Sequence, residues 1–143
     1  MPQTSTLLIV EDNPDDVELT LLAFSQTGLQ ENVVIARDGV EAIDYLFAEN
    51  RSEPLPNLIL LDLQLPRING LEVLRQIRAN ARTRLLPIVI LTTSDEESDR
   101  LKGYGLGCNS YIRKPVNYEQ FLNVIQQMGM YWLVLNSPPP LTS

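Results

Sequence analysis

The chain has 143 residues, 18 Asp and Glu against 11 Lys and Arg, one cysteine and no histidine, for a formal net charge of −7. This length suits one compact domain, and 44% hydrophobic residues suffice for its core, so global disorder is excluded. Ser-His-Asp and Cys-His catalysis and imidazole zinc sites are excluded for want of histidine, an internal disulfide by the lone Cys108, and a nucleic-acid surface by the acidic balance.

The chain begins MPQTSTLLIVEDNPDD, with no basic residue before an apolar run of only 7–10. That is too short for a signal peptide or a membrane span, so a cytoplasmic protein with no membrane partner is expected. Run 6–10 (TLLIV) reads as a first strand buried on both faces. Asn13-Pro14 then supplies a helix N-cap followed by proline at the first helical position. Val17, Leu21 and Phe24 follow at helical spacing. Run 32–36 (NVVIA) is a second strand, more polar and therefore nearer an edge. Asp38-x-x-Glu41 is a capping box, and Val40, Ile43 and Phe47 mark the second helix. A polar loop, 49–56, leads to the most apolar strand, 57–61 (NLILL).

Asn69-x-x-Glu72 opens a third helix with Leu71, Leu74 and Ile77 on one face. Run 87–92 (PIVILT) is the fourth strand, and Ser94-x-x-Glu97 reads as the cap of the fourth helix. Run 108–112 (CNSYI) is a fifth strand with edge character. Asn117-x-x-Gln120 opens a last helix carrying Phe121, Ile125, Met128 and Trp132. The tail, 137–143 (SPPPLTS), cannot continue a helix and is expected to be flexible. Five alternations of strand and helix imply an α/β fold of parallel strands, right-handed crossovers and helices on both faces.

In such sheets, ligands bind beyond the carboxyl ends of the strands. Glu11 and Asp12 follow strand one, Asp62 follows strand three, Thr92, Thr93 and Ser94 end strand four, and Lys114 ends strand five before Pro115. If strand one is central, with strand two on one side and three and four on the other, these residues converge. Clustered carboxylates repel unless a cation intervenes, and Mg²⁺ suits oxygen ligands of this kind. Asp15, Asp16 and Glu18 are read differently, as acids that favour the helix N-terminus and solvate its outer face. No Lys or Arg precedes Arg37 to offset them locally. Asp62, already ionised at neutral pH, is the candidate nucleophile. A cation and Lys114 would balance charge on a transferring phosphoryl group.

The ordered set Glu11-Asp12, Asp62-x-x-x-Pro66-x-x-x-Gly70, Thr92 and Tyr111-x-x-Lys114-Pro115 resembles the receiver domain of two-component response regulators. The resemblance spans nearly the whole chain and implies a flavodoxin-like doubly wound sheet of order 2-1-3-4-5 with five helices, over residues 6–135. It implies Asp62 as phosphoacceptor, and Mg²⁺ on Glu11, Asp12, Asp62 and the carbonyl of Gln64. It implies Lys114 on the phosphoryl group with a cis peptide before Pro115, Thr93 donating its backbone N–H, and Thr92 and Tyr111 as a switch pair. Tyr111 would couple the event to the face formed by helix four, strand five and helix five. Glu11 departs from the commoner aspartate, and residues at Gln64 and Ser94 tune phosphoryl lifetime in the family. The resemblance further implies a regulatory domain rather than an enzyme, with a sensor histidine kinase as its phosphoryl donor.

A narrower resemblance joins the long loop before strand three, LPRINGLEVLRQIRAN, LTTSDEESD, NSYIRKPVN and a terminal helix ending in YWL. Together these are similar to the small, single-domain response regulators of cyanobacterial phytochromes. That implies a bilin-bearing kinase as partner and a homodimer, for which Tyr131–Leu135 is one candidate contact. Two other readings compete: a receiver-like docking module that is never phosphorylated, and a flavodoxin-like cofactor carrier. The second calls for a Gly/Ser/Thr-rich first loop, whereas this chain has EDNPDD.

Overall fold

A computed structural model describes residues 5–29, 31–49 and 54–140. The order is β1 (Ser5–Val10), α1 (Pro14–Thr27), β2 (Glu31–Ala36), α2 (Gly39–Leu46), β3 (Leu58–Leu61), α3 (Gly70–Ala79), β4 (Ile88–Thr92), α4 (Glu97–Leu106), β5 (Ser110–Arg113) and α5 (Tyr118–Met130). All strand pairs are parallel and the sheet order is β2-β1-β3-β4-β5, as the family resemblance implied. The two more polar strands, β2 and β5, are the edges.

Strand alternation sorts the core into two layers. Leu8 and Val10 of β1, Ile59 and Leu61 of β3, and Ile88 and Ile90 of β4 face α2 and α3, meeting Ala42, Leu46, Val73, Leu74 and Ile77. Leu7, Ile9, Leu58, Leu60, Val89 and Leu91 face the other way, onto Ala23 and Phe24 of α1 and Phe121, Ile125 and Met128 of α5. Helices α1 and α5 lie so close that a Cβ on Gly129 would stand 2.6 Å from Phe24 Cε1.

Four helix starts follow the capping signals. Asn13 Oδ1 accepts from the N–H groups of Asp15 and Asp16, Asp38 Oδ1 from Glu41, Asn69 Oδ1 from Glu72 and Asn117 Oδ1 from Gln120. The fourth helix corrects the expectation. Glu96, not Ser94, occupies the N-cap and makes no side-chain cap. Ser94 is held upstream, because its N–H donates to Thr92 Oγ1 (3.4 Å) and its carbonyl accepts the Tyr111 hydroxyl (3.1 Å). It still serves the helix, donating to Asp99 Oδ2 at 2.6 Å.

After α5 the chain continues as a single π-helical turn, Tyr131–Leu135. Trp132 and Leu133 pack against the α1/α5 core layer, while Tyr131, Val134 and Leu135 are exposed. Part of the candidate loop at 49–56 and the end of the expected tail lie outside the described residues. No helix among the described residues is long and apolar enough to cross a membrane.

Candidate functional site

Register aligns the strand ends. The Glu11 N–H donates to the Ala36 carbonyl at the end of β2, the Asp62 N–H to Val10 at the end of β1, and the Lys114 N–H to Thr92 at the end of β4. The first residues past β1, β3 and β5 therefore meet at one cleft at the carboxyl edge of the sheet. Gly70 closes its floor: a Cβ there would sit 2.2 Å from the Asp62 carbonyl oxygen, so only glycine lets α3 begin beside the Asp62 backbone.

Carboxylate oxygens of Glu11, Asp12 and Asp62 lie within 4.8 Å of one another. Glu11 and Asp62 are buried and Asp12 is exposed. Lys114, only 7% exposed, places Nζ against Glu11 Oε1, 2.8 Å from Asp16 Oδ2 and 3.5 Å from Asp62 Oδ2. Burial pushes the Glu11 carboxyl up to about 7, the neighbouring Asp62 charge adds to the rise, and Lys114 offsets only part of it. Lys114 moves upward as well: burial would lower it, but hydrogen bonds to Asp16 and Glu11 and the Asp62 charge outweigh that. Burial dominates the first shift, and the surrounding carboxylates, which outnumber the cations, dominate the second. Buried and exposed oxygens converging on one point, short of positive charge, fit a hard divalent cation with oxygen ligands and waters.

Of the remaining expected residues, Gln64 touches this cluster directly. Gln64 donates its backbone N–H to Asp62 Oδ1 at 3.3 Å. Its side-chain oxygen accepts the Thr93 hydroxyl at 3.3 Å, which bridges the β3 and β4 loops. Thr92 is fully buried at the end of β4. Tyr111 is half-buried against the α2/α3 core layer and tied to the Ser94 carbonyl. Burial raises its phenol above the ordinary range. One expectation fails: no peptide bond among the described residues is cis, so Lys114–Pro115 is trans, the isomer that X-Pro bonds intrinsically prefer.

Asp16 is the residue that sequence reasoning missed. Its sequence context places it on the outer face of α1, yet its carboxylate meets Lys114 from 98 positions away. The available signal was its place in the first turn of α1, directly after the loop that carries the acidic pair.

Comparison with known proteins agrees with this geometry. The sequence profile of the response regulator receiver domain matches residues 7–126. The chain is 39% identical over 134 residues to the probable methanogenesis regulatory protein FilR2 of Methanothrix harundinacea, covering 93% of this chain and 86% of that protein. It is 36% identical over 129 residues to response regulator Rcp1 of Synechocystis sp., covering 89% of this chain and 88% of Rcp1. The structure of Rcp1 in its Mn²⁺-bound form superposes with a TM-score of 0.89 at 35% identity, over 95% of this chain and 99% of that one. The phosphorylated cyanobacterial phytochrome response regulator RcpA superposes with a TM-score of 0.91 at 35% identity, over 96% of this chain and 100% of that one. The chain belongs to the response regulator receiver domain family.

Proposed function

We propose that this receiver, residues 6–135, accepts a phosphoryl group on Asp62 from a phosphohistidine of a sensor histidine kinase. In that transfer an Asp62 carboxylate oxygen forms the new O–P bond as the N–P bond to the donor imidazole breaks. The observation that carries the reading is the position of Asp62: a buried carboxylate at the end of β3, with Glu11 and Asp12 oxygens within 4.8 Å and Lys114 Nζ at 3.5 Å. Glu11, Asp12, Asp62 and the Gln64 carbonyl would hold Mg²⁺. The bound cation neutralises charge on the transferring oxygens.

Lys114 supplies a compact ammonium to the phosphoryl group, and the Thr93 N–H a neutral donor. Thr92 swings its hydroxyl toward the new group. Tyr111 follows, releasing Ser94 and changing the face formed by α4, β5 and α5. The protein thus assists only its own phosphorylation and dephosphorylation. The likeness to Rcp1 and RcpA favours a phytochrome as kinase and a cytoplasmic setting. The exposed Met130, Tyr131, Val134 and Leu135 support a homodimer contact at the end of α5.

Acetyl phosphate with Mg²⁺ is expected to label the wild type, and Asp62→Asn is expected to abolish labelling, read by intact-protein mass or radiolabel. Persistent labelling of that variant would move the acceptor elsewhere. Failure of the wild type to bind beryllofluoride, followed by NMR shifts, would favour the docking-module reading instead.

A further inference from the structure

The Lys114 ammonium carries three N–H donors and has three carboxylate neighbours, Glu11, Asp16 and Asp62. Two of them, Glu11 and Asp62, also belong to the converging carboxylate triad. Asp16 does not. A divalent cation and Lys114 therefore contend for the same two carboxylates, and Asp16 is the one partner of Lys114 outside that contest. We propose that Asp16 is a positioning residue: it keeps the Lys114 ammonium when a divalent cation takes Glu11, and so raises the affinity of the site for that cation. This rests on reading the triad as a divalent-cation site.

Three observations support the role. First, Lys114 is 7% exposed, so an ammonium released from Glu11 cannot turn to bulk water for compensation. Without a carboxylate of its own it would face an incoming cation of like charge. Second, Asp16 is rigidly presented. Its N–H bonds to Asn13 Oδ1 at 3.2 Å, and its carbonyl accepts the hydroxyl of the buried Thr20 at 2.8 Å. With its backbone already fixed, only the side-chain torsions of Asp16 are ordered when the carboxylate meets Lys114 at 2.8 Å. Third, Asp15 supplies a built-in control. It lies in the same helical turn, has the same charge, is exposed, and makes no ion pair among the described residues.

The test is Mg²⁺ titration of the full chain by calorimetry, in wild type, Asp16→Asn, Asp15→Asn, Lys114→Met and the double variant Asp16→Asn/Lys114→Met. Asp16→Asn is expected to weaken Mg²⁺ binding about fivefold, and Asp15→Asn, which only dilutes the general acidic field, by less than about twofold. In the Lys114→Met background, removing Asp16 is expected to cost no more than removing Asp15, because no ammonium needs a place. Equal effects of Asp16→Asn and Asp15→Asn, or a full Asp16 effect without Lys114, overturn the inference while leaving the cation site standing. No saturable Mg²⁺ binding by the wild type overturns the site reading and this inference with it. A measurement on the wild type alone bypasses any folding defect of a variant. NMR coupling across the hydrogen bond from Lys114 Nζ to the Asp16 carboxylate should persist at saturating Mg²⁺, while that to Glu11 disappears. Loss of the Asp16 coupling on saturation overturns the inference.

Discussion

Two cations sit at opposite ends of the sheet, and their surroundings differ in kind. At the carboxyl ends, Lys114 lies among the carboxylates of Glu11, Asp16 and Asp62. Near the amino ends of β4 and β5, Arg78 lies among neutral oxygens. Its Nε donates to the Gly107 carbonyl at 2.8 Å, its Nη1 to those of Arg84 and Leu86 at 2.9 and 2.8 Å, and its Nη2 to Asn109 Oδ1 at 2.9 Å. Asn109 Oδ1 in turn accepts the Ile88 N–H at 2.8 Å. A planar fork seated on fixed carbonyls has one arrangement, and no ligand competes for those acceptors. A rotatable ammonium on carboxylates has several, and a divalent cation or a phosphoryl group changes which is best. The first arrangement locks α3 to the α4–β5 turn, and the second leaves a site that can be reset.

Truncating Arg78 tests that division most severely. Arg78→Ala removes four hydrogen bonds, leaves the part-buried Gly107 and Leu86 carbonyls without that donor, and is expected to cost about 3 kcal/mol in chemical denaturation. Mg²⁺ affinity of the folded fraction should stay within about twofold of wild type, because the clamp lies at the other end of the strands. A large loss of Mg²⁺ affinity in a folded Arg78→Ala protein would show that the two ends are coupled.

The carboxyl end has a pH signature that the Arg78 end lacks. The Glu11 carboxyl titrates near 4.5 when freely hydrated and about 7 in the fold. Between those values the folded chain holds more protons than the unfolded one, so stability falls as pH rises. Metal-free protein is expected to lose on the order of 3 kcal/mol from about pH 4.5 to 7. Glu11→Gln should flatten that slope, as should saturating Mg²⁺. A metal-free wild type whose stability rises across this range would contradict a Glu11 carboxyl raised by burial.

The smallest expected effect belongs to a third cation, Arg75, paired with Glu72 one turn away on the exposed face of α3. Hydrogen bonds from Arg75 and Gln76 hold the Glu72 carboxyl down at about 2. Arg75 is exposed and Glu72 partly so, and there screening and side-chain entropy cancel most of the gain. Arg75→Ala is therefore expected to leave the denaturation midpoint unchanged. A clear shift would mean that burial is not what separates Lys114 and Arg78 from a surface cation.

Much of this architecture was legible in the chain because its signals are local. Asn13-Pro14, Asp38, Asn69 and Asn117 each announced a helix start through atoms two or three residues apart. The cap at Ser94 misled because a non-local contact, the Tyr111 hydroxyl on the Ser94 carbonyl, helps hold that residue outside the helix. Strand polarity separated inner strands from edges, since β1, β3 and β4 are covered on both faces. Glu11, Asp12, Asp62 and Lys114 stood out because charges directly follow apolar runs. Asp16 did not stand out, since one more acid in a helix's first turn has an adequate local explanation. The clamp at Arg78 left no trace at all, because its acceptors are backbone carbonyls, which every residue possesses.

Alone, the sequence determined the alternation of strand and helix, the caps, and which side chains stand just beyond the strands. These depend on contacts a few residues long and on a two- or four-residue period. Only the tertiary structure decided which charges meet. Lys114 reaches Asp16 across 98 positions and Glu11 across 103, a pairing that exists only once the order β2-β1-β3-β4-β5 brings the ends of β1 and β5 to one edge. Coulombic attraction acts through space, so the carboxylate that ends up holding the lysine is chosen by strand order and helix orientation, to which spacing along the chain is blind.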